Sequence, residues 1–234
     1  MKVIKNLFRL ILPPTLNIFY LFKVFNKLKK YLYGNKFELE KNFYNRQSFV
    51  LRAVSKYNLN KCKYLEIGVY KNSVFNCVPL KIENKIGVDP TQGGTHRKTS
   101  DNFFNDNNEN FDVIFIDGLH TYEQCQRDCI NSLKFLNPGG VILFHDFLPN
   151  NSEEHKTDFS GDVWKVAVEI ANSKNMEFKI ANIDSGVGIL KPQANYEYIR
   201  IPELKHLTFK DFYKSYYKKL PIINSEEALK FIDE

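Results

Sequence analysis

Short apolar runs that stop at polar residues alternate with amphipathic stretches through the middle of the chain. The runs predict buried β-strands at residues 62–70, 85–90, 113–116 and 141–144. A helical stretch joins the last two runs, and the pattern predicts a second connecting helix from Ser73 to Ile82. Strand–helix–strand units of this length give parallel pairing, which brings the strand ends to one edge of a sheet. Ligands of open α/β sheets bind at that carboxyl edge.

Further periodicity extends this α/β pattern on both sides. Apolar positions predict helices over residues 38–60 and after Gly161, and a short element in the sequence SDNFF. Residues 176–181 and 186–190 predict two strands. The gap between them, 182–185, is of hairpin length, so we expect the last strand of the sheet to be antiparallel.

Composition fits one packed domain with additional terminal segments. The 234 residues are 43% hydrophobic and 15% aromatic, which excludes a disordered chain. We expect three parts: a basic amphipathic arm at 1–37, the sheet domain at 38–192, and a C-terminal tail at 193–234 that packs on the domain. Cys125 and Cys129 share a helix face and are expected to be buried free thiols, as in a cytoplasmic protein.

Positive charge is concentrated in the N-terminal arm. Residues 1–37 contain eight basic and no acidic residues, whereas the remainder has 25 basic and 27 acidic residues, a net charge of −2. Nucleic-acid binders usually carry their basic surface on the folded domain, so this distribution argues against a nucleic-acid partner. A basic, aromatic-rich arm is instead typical of contact with an anionic membrane surface or a partner protein.

The arm is too interrupted to span a bilayer. Ile4, Leu7, Phe8, Ile11 and Leu12 follow helical spacing, and Pro13-Pro14 ends this piece. No apolar stretch approaches the ~20 residues that a transmembrane helix needs. Two interpretations remain equally favoured for residues 1–36: amphipathic helices at the inner face of the membrane, or helices packed on the domain or on a second subunit of a homo-oligomer.

Four polar residues follow two of the predicted strands. Asp117 and His120 come after the run 113–116, and His145 and Asp146 come after 141–144. Because parallel strands end at the same edge, we expect two carboxylates and two imidazoles in one crevice. Such a set forms a metal site or an acid–base site. Alternative roles are a helix N-cap for Asp117 and a structural hydrogen bond for His145.

The first two strands end in residues suited to a nucleotide-like ligand. Glu66 and Gly68 end the first strand, and Asp89 ends the second. A carboxylate in this position can accept hydrogen bonds from both hydroxyls of a ribose, and glycine lets a ligand approach the backbone. The sequence GVYKNS has one glycine where a dinucleotide fingerprint needs three, which argues against NAD.

The order of these motifs resembles a known family. LEIGVYKNS, GVDP, SDNFF, FDVIFIDGLHTYEQCQRD, LNPGGVILFHDF, GDVW and DSGVGIL together resemble the class I S-adenosylmethionine-dependent methyltransferases, and more narrowly the macrocin-type sugar O-methyltransferases. The resemblance covers about residues 60–190. It implies a Rossmann-like, doubly wound, mostly parallel sheet of seven strands with helices on both faces. Asn72 stands where the family usually has a further glycine, and asparagine tolerates positive φ well.

The resemblance also implies roles for individual residues. The cofactor would be bound by Glu66, Gly68, Ser73, Asp89, Ser100, Asp101 and Asp117. The metal, expected to be Mg²⁺, would be held by Asp117, His145 and Asp146. A histidine at position 145 departs from the carboxylate that many relatives have there, and imidazole is a softer ligand than Mg²⁺ prefers.

We therefore expect an S-adenosylmethionine-dependent, metal-assisted O-methyltransferase that acts on a sugar or glycan hydroxyl. A divalent metal would chelate the acceptor and lower its hydroxyl pKa, and His120 or His145 would serve as general base. Two alternatives stay open at this point. One is a metal-dependent oxygenase or hydrolase built on the same sheet, and the other is a non-catalytic scaffold protein.

Overall fold

The structure is a computed structural model, and it describes residues 24, 25, 27, 28, 31, 32, 34–41 and 43–234. The chain divides into two compact units, residues 1–36 and 37–234. In the first unit, the described residues from 24 to 32 are helical; the predicted helices before them lie outside the described residues. Within the described part, no helix has both the length and the apolar character that crossing a membrane requires.

The second unit is built on one seven-stranded sheet with the order β2-β1-β3-β4-β6-β5-β7. Its strands are β1 (Tyr64–Ile67), β2 (Lys85–Val88), β3 (Phe111–Ile116), β4 (Leu136–Phe144), β5 (Lys174–Ala181), β6 (Val187–Glu197) and β7 (Ile222–Ile223). The first four strands pair in parallel. Their carboxyl ends therefore share one edge, as the run pattern predicted.

Six α-helices belong to this unit: α1 (Arg46–Ser55), α2 (Ser100–Asp106), α3 (Tyr122–Lys134), α4 (Trp164–Asn172), α5 (Phe209–Asp211) and α6 (Ser225–Asp233). Residues on successive strand positions alternate between two cores. Leu65, Ile114 and Ile142 pack with α3 and α4, and Tyr64, Val113 and Leu143 pack with α1 and α6. The sheet is thus covered on both faces, which confirms the predicted fold class.

Two predicted helices differ from the structure. The helix expected at 38–60 begins only at Arg46, because the side chain of Asn45 accepts from the backbone of Ser48 and forms a capping box. The helix expected from Ser73 is a series of turns over residues 70–77, followed by a 3₁₀ helix at Ile82–Asn84. Tyr70 and Asn72 take left-handed backbone conformations, with φ of 47° and 62°, which prevents a regular helix from starting there.

The strand expected to be antiparallel, at residues 186–190, is β6, which lies between β4 and β5 and pairs antiparallel with both. A seventh strand, the two-residue β7, follows it in the chain and lies parallel to β5. Two isoleucines are too short a run to predict a strand from sequence. Apolar residues of the tail join the cores on both faces, including Leu204, Phe212 and Phe231.

Candidate active site

The carboxyl edge of β3 and β4 brings three of the predicted site residues into contact. Asp117 follows β3, and His145 and Asp146 follow β4. Nδ1 of His145 lies 3.3 Å from Oδ1 of Asp117 and 3.0 Å from Oδ2 of Asp146. Asp146 has a left-handed backbone, with φ of 66°, which turns its side chain back toward the site. Oδ1 of Asp146 accepts from the Ser160 hydroxyl at 2.9 Å.

His120 completes the group from the turn after β3. Its Nε2 lies 3.3 Å from Oδ2 of Asp146 and 3.6 Å from Oδ1 of Asp117. The ring also hydrogen-bonds to the backbone of Phe159. The loop after β4 packs closely on this turn, because a Cβ at Gly161 would lie 1.8 Å from the carbonyl oxygen of His120. Only glycine allows that approach, so the loop fixes the position of His120.

The charges of this group depend on one another. Burial opposes ionisation of Asp117, but His145, His120 and Arg46 outweigh it and hold the pKa of its carboxyl far below the usual value. Burial also disfavours the charged form of the two histidines. The facing carboxylates outweigh that effect and raise the pKa of His120, and that of His145 more strongly. The carboxylates of Asp117 and Asp146 therefore favour a positive charge between them.

Two residues that the sequence did not indicate complete this side of the site. Arg46 is the first residue of α1. Its Nη1 lies 3.1 Å from Nε2 of His145 and 3.3 Å from Oδ1 of Asp184. Nε of Arg46 is 3.6 Å from Oδ2 of Asp117. Asp184, in the β5–β6 hairpin, also accepts from the backbone of Arg46 at 2.9 Å. Burial opposes its ionisation, yet His145 and Arg46 lower its pKa to about 2.

Glu66 lies at the end of β1 and is almost completely buried. Its Oε2 accepts from the hydroxyl of Tyr64 at 2.6 Å. Burial raises the pKa of Glu66 to about 8, and the hydrogen bond from Tyr64 only partly offsets this. Two residues further, Gly68 has a φ of 84°, and a Cβ there would lie 2.0 Å from the carbonyl oxygen of Asp117. Glycine is thus required where the ends of β1 and β3 approach each other.

Asp89, at the end of β2, is held by backbone donors. Oδ2 accepts from Tyr70 N at 2.9 Å, and Oδ1 accepts from the backbone of Thr91 and Gln92 at 2.8 and 2.9 Å. Burial opposes ionisation, but these bonds outweigh it and lower the pKa of the carboxyl. Asn72 supports the same turn through Oδ1, which accepts from Gly94 N at 2.7 Å. The left-handed turn therefore forms with asparagine in place of glycine.

One cavity of about 540 Å³ connects these groups. Its wall includes the predicted residues Glu66, Gly68, Ser73, Asp89, Ser100, Asp117, His120, His145 and Asp146. Asp101 does not line it, but Oδ1 of Asp101 lies 3.2 Å from Nε2 of Gln124, which does. The volume falls in the range of small-molecule and cofactor sites. Arg46, Gln124 and Asp128 also line the cavity and are additions to the predicted set.

Among the described residues, Asp117, His120 and Asp146 form a group able to hold a metal ion, with ligand atoms within 4.8 Å of one another. The predicted ligand set had His145 in place of His120. His145 contacts both carboxylates through Nδ1 and directs Nε2 toward Arg46 and Asp184. Its assignment as a ligand stays a prediction.

The additional residues differ in how far the sequence could have indicated them. Asp184 follows β5, which ends at the same edge, so the rule that identified Asp117 applies to it as well. Arg46 begins a helix that is remote in sequence from every strand end, and no local signal marks it. Asp128 lies beside the buried Cys129 in α3, on a helix face that is mostly apolar, where a carboxylate was a usable signal.

Part of the chain matches a known enzyme family, and the fold is similar to solved structures. Residues 84–147 match the sequence model of a family described as a methyltransferase domain. A putative O-methyltransferase from Klebsiella pneumoniae has a similar structure, with a TM-score of 0.50 and 12% identity over 82% of this chain and 97% of that chain. For an O-methyltransferase from Bacillus cereus in complex with SAH, the TM-score is 0.48 and the identity is 14%, over 82% of this chain and 98% of that chain. No curated protein matches the sequence.

The family match over residues 84–147 confirms the predicted enzyme class, a methyltransferase. The structural similarity to the Klebsiella pneumoniae protein confirms the fold. These results favour a methyltransferase over the oxygenase, hydrolase and scaffold alternatives. The narrower assignment to the macrocin-type sugar branch stays a prediction.

Proposed function

We propose that this protein is an O-methyltransferase that uses a divalent metal ion to methylate a hydroxyl of a sugar or glycan intermediate. The observation that carries the proposal is that one cavity contains two different groups of polar residues, one at each end. Glu66, Gly68 and Asp89 form one end, the cofactor end. Asp117, His120 and Asp146 form the other, the acceptor end. A methyl donor bound at the first end and an acceptor bound at the second would meet directly.

The donor atoms of the second end fit a divalent cation. In a neutral His120 ring that donates to the Phe159 backbone, Nε2 carries a lone pair that faces Asp117 and Asp146. Two carboxylates and a lone pair at this spacing need a cation between them, which is either a proton or a metal ion. An ion bound there would supply Lewis acidity that lowers the pKa of an acceptor hydroxyl.

His145 and Ser160 support this arrangement from the protein side. His145 donates from Nδ1 to the carboxylates, and Ser160 donates to Asp146. Partners of this kind orient ligands and typically change metal affinity by ~10–100-fold when removed. In this proposal His120 is a ligand when metal is bound. His120 and His145 remain the predicted bases for a reaction without metal, in which a neutral imidazole takes the hydroxyl proton. The raised pKa of each ring opposes that neutral form, so the geometry favours the metal-assisted route.

At the cofactor end, the carboxylate of Asp89 is suited to the ribose hydroxyls, and Glu66 with Ser73 is suited to the methionine part. Ser100 and Asp101 are assigned to the adenine side. Ionised Asp89 retains acceptor capacity on Oδ2, which takes a single backbone donor in the structure. Gly68 also lines the cavity, where the absence of a side chain would let a ligand approach the backbone.

The acceptor assignment rests on polar groups beyond the metal ligands. Arg46, which Asp184 holds through hydrogen bonds, offers guanidinium donors on the cavity wall, and such donors suit a ligand with several hydroxyls. The basic arm at residues 1–36 would bring the enzyme to a membrane surface that carries such acceptors. A variant lacking residues 1–36 that partitions into anionic vesicles as well as the full chain would contradict this role of the arm.

The proposal is tested by S-adenosylhomocysteine binding and methyl transfer, each with Mg²⁺ and with EDTA, across a panel of sugars with vicinal hydroxyls. We expect binding under both conditions and transfer only with the metal. Transfer that persists in EDTA and is lost in His120→Gln would assign His120 as the base and remove the metal from the proposal. A folded protein that does not bind the cofactor would overturn the function itself.

A further inference from the structure

Three consecutive residues of the loop after β4 contact the acceptor end. The ring of His120 hydrogen-bonds to the backbone of Phe159, and the hydroxyl of Ser160 donates to Oδ1 of Asp146 at 2.9 Å. Gly161 lies directly against the carbonyl oxygen of His120, where a Cβ would not fit. This short piece of backbone therefore determines where His120 and Asp146 lie, and it must itself be held in place.

The next residue, Asp162, caps α3 from outside the helix. α3 begins at Tyr122, directly after the turn that carries His120, and its own N-cap residue, Thr121, makes no side-chain capping bond. Instead, Oδ1 of Asp162 accepts from the backbone N–H of Tyr122 at 2.7 Å. An N–H group in the first turn has no partner within its helix, and a negative charge is favourable at a helix N-terminus. Asp162 thus fixes the backbone at the point where the turn ends.

A buried lysine holds the Asp162 carboxylate in this position. Lys165 is 2% exposed. Its Nζ lies 2.8 Å from Oδ2 of Asp162 and donates to the carbonyl of Lys205 at 3.0 Å. An ammonium group is costly to bury unless it is paired. The pair leaves Oδ1 of Asp162 directed at the start of α3, a result that packing alone would not require.

The turn between β3 and α3 is therefore fixed at both of its ends. At its start, the N–H of Asp117 donates to the carbonyl of Ile67 at 2.8 Å. At its end, Asp162 binds the first backbone N–H of α3. Between these points, Nε2 of His120 lies 3.6 Å from Oδ1 of Asp117 and 3.3 Å from Oδ2 of Asp146. Release of the second end would let the His120 ring move relative to both carboxylates.

We propose that Asp162 is a positioning residue for the metal group, because its cap on α3 keeps His120 beside Asp117 and Asp146. The inference rests on the proposed acceptor end, in which these three side chains share a divalent cation. Asp162 lies outside that group and acts through the backbone that carries His120. Groups that orient metal ligands typically change metal affinity by ~10–100-fold when they are removed.

The test measures Mn²⁺ binding to the full chain with S-adenosylhomocysteine present, by the electron paramagnetic resonance signal of free Mn²⁺. Calorimetry gives the S-adenosylhomocysteine affinity of the same variants. In Asp162→Ala the cap is lost, and Mn²⁺ affinity should fall about tenfold while S-adenosylhomocysteine affinity is unchanged. Asp162→Asn keeps an oxygen acceptor for the α3 N-terminus and should bind Mn²⁺ within about threefold of wild type.

A matched control removes a cap that is remote from the cavity. Oδ1 of Asn224 accepts from the N–H of Glu227 at 2.9 Å at the start of α6, and neither residue lines the cavity. Loss of either cap lowers stability to a similar extent, so the Tm of Asn224→Ala should fall as in Asp162→Ala. Its Mn²⁺ affinity should nevertheless equal that of wild type. An equal loss of Mn²⁺ affinity in the two variants would overturn the positioning role.

The remaining outcomes separate this inference from the proposed function. Wild-type Mn²⁺ affinity in a folded Asp162→Ala variant overturns the inference and leaves the proposed function intact. Asp162→Asn that binds Mn²⁺ as weakly as Asp162→Ala also overturns it, because the cap would then not be the cause. If Asp162→Ala does not fold, Lys165→Met decides: weaker Mn²⁺ binding supports the role, and unchanged binding contradicts it. Wild type that binds S-adenosylhomocysteine but not Mn²⁺ contradicts the metal group itself, and this inference with it.

Discussion

The two ends of the cavity are stabilised in different ways. At the cofactor end, Asp89 is held by backbone amides of its own loop and of Tyr70 in the loop after β1, and Glu66 is held by Tyr64 on the same strand. At the acceptor end, Asp117 faces Arg46, His120 and His145, which come from three separate segments. The contacts of the first end thus join neighbouring segments of the chain, whereas those of the second join segments far apart in sequence. Mutations should therefore affect the two ends separately.

The largest effect is expected at Asp117. Asp117→Asn removes the charge that three cationic groups share, and it removes one proposed metal ligand. Methyl transfer should fall about 1,000-fold, while S-adenosylhomocysteine affinity changes little. The measurement is a steady-state assay beside calorimetry, with the exposed Asp106→Asn as the matched control. A parallel loss of cofactor affinity would show that the two ends are not separable.

The cofactor end gives the next largest effect. Asp89→Ala should weaken S-adenosylhomocysteine binding by at least about 100-fold, because two hydrogen bonds to a charged acceptor are lost. Calorimetry measures this directly, and thermal melting checks that the loop remains folded. Binding within a few-fold of wild type would move the ribose away from Asp89.

A smaller effect is expected at Ser160, and it tests whether Asp146 belongs to the metal group of the acceptor end. Ser160→Ala removes the donor to Oδ1 of Asp146, and apparent Mg²⁺ affinity should fall about tenfold. The assay is Mg²⁺ titration of methyl transfer, with Ser152→Ala in the same loop as the control. Equal Mg²⁺ dependence in both variants would exclude Asp146 from the metal group.

The smallest effect concerns stability and pH at the cofactor end. Because the pKa of Glu66 is raised to about 8, the folded state binds a proton more tightly than the unfolded chain. This contribution to the free energy of unfolding is complete below the ordinary glutamate pKa, and it is lost as pH rises toward 8. The Tm of wild type should fall by roughly 10 °C relative to Glu66→Gln between pH 5 and 8. Parallel Tm curves would contradict a protonated Glu66.

The same contrast explains what the sequence could predict. Asp89, Asp117, His145 and Asp146 follow apolar strand runs, and parallel pairing brings such positions to one edge without knowledge of loops. Asn72 could be predicted to accept a left-handed turn because its side chain bonds locally. The strand pattern therefore predicted most residues of the cofactor end and the central residues of the acceptor end.

The remaining residues depend on long-range packing. Arg46 reaches the site because Asn45 caps α1 at that residue, and the broad helical pattern of residues 38–60 does not define that start. Gln124 and Asp128 face the cavity through the rotation of α3 against α2, which a single amphipathic pattern leaves undetermined. β7 forms where the tail packs along β5, a long-range pairing that the two isoleucines alone do not indicate.

The distribution of thiols makes the molecule convenient for spectroscopy. Cys62, Cys125 and Cys129 are buried, and burial raises the pKa of each thiol, which makes all three slow to alkylate. Cys77 is exposed, and its sulfur contacts the carbonyl of Ser73, which lies on the cavity wall. A maleimide dye should therefore attach at one position on the native chain. That dye would report the arrival of a ligand in the loop without any engineered cysteine.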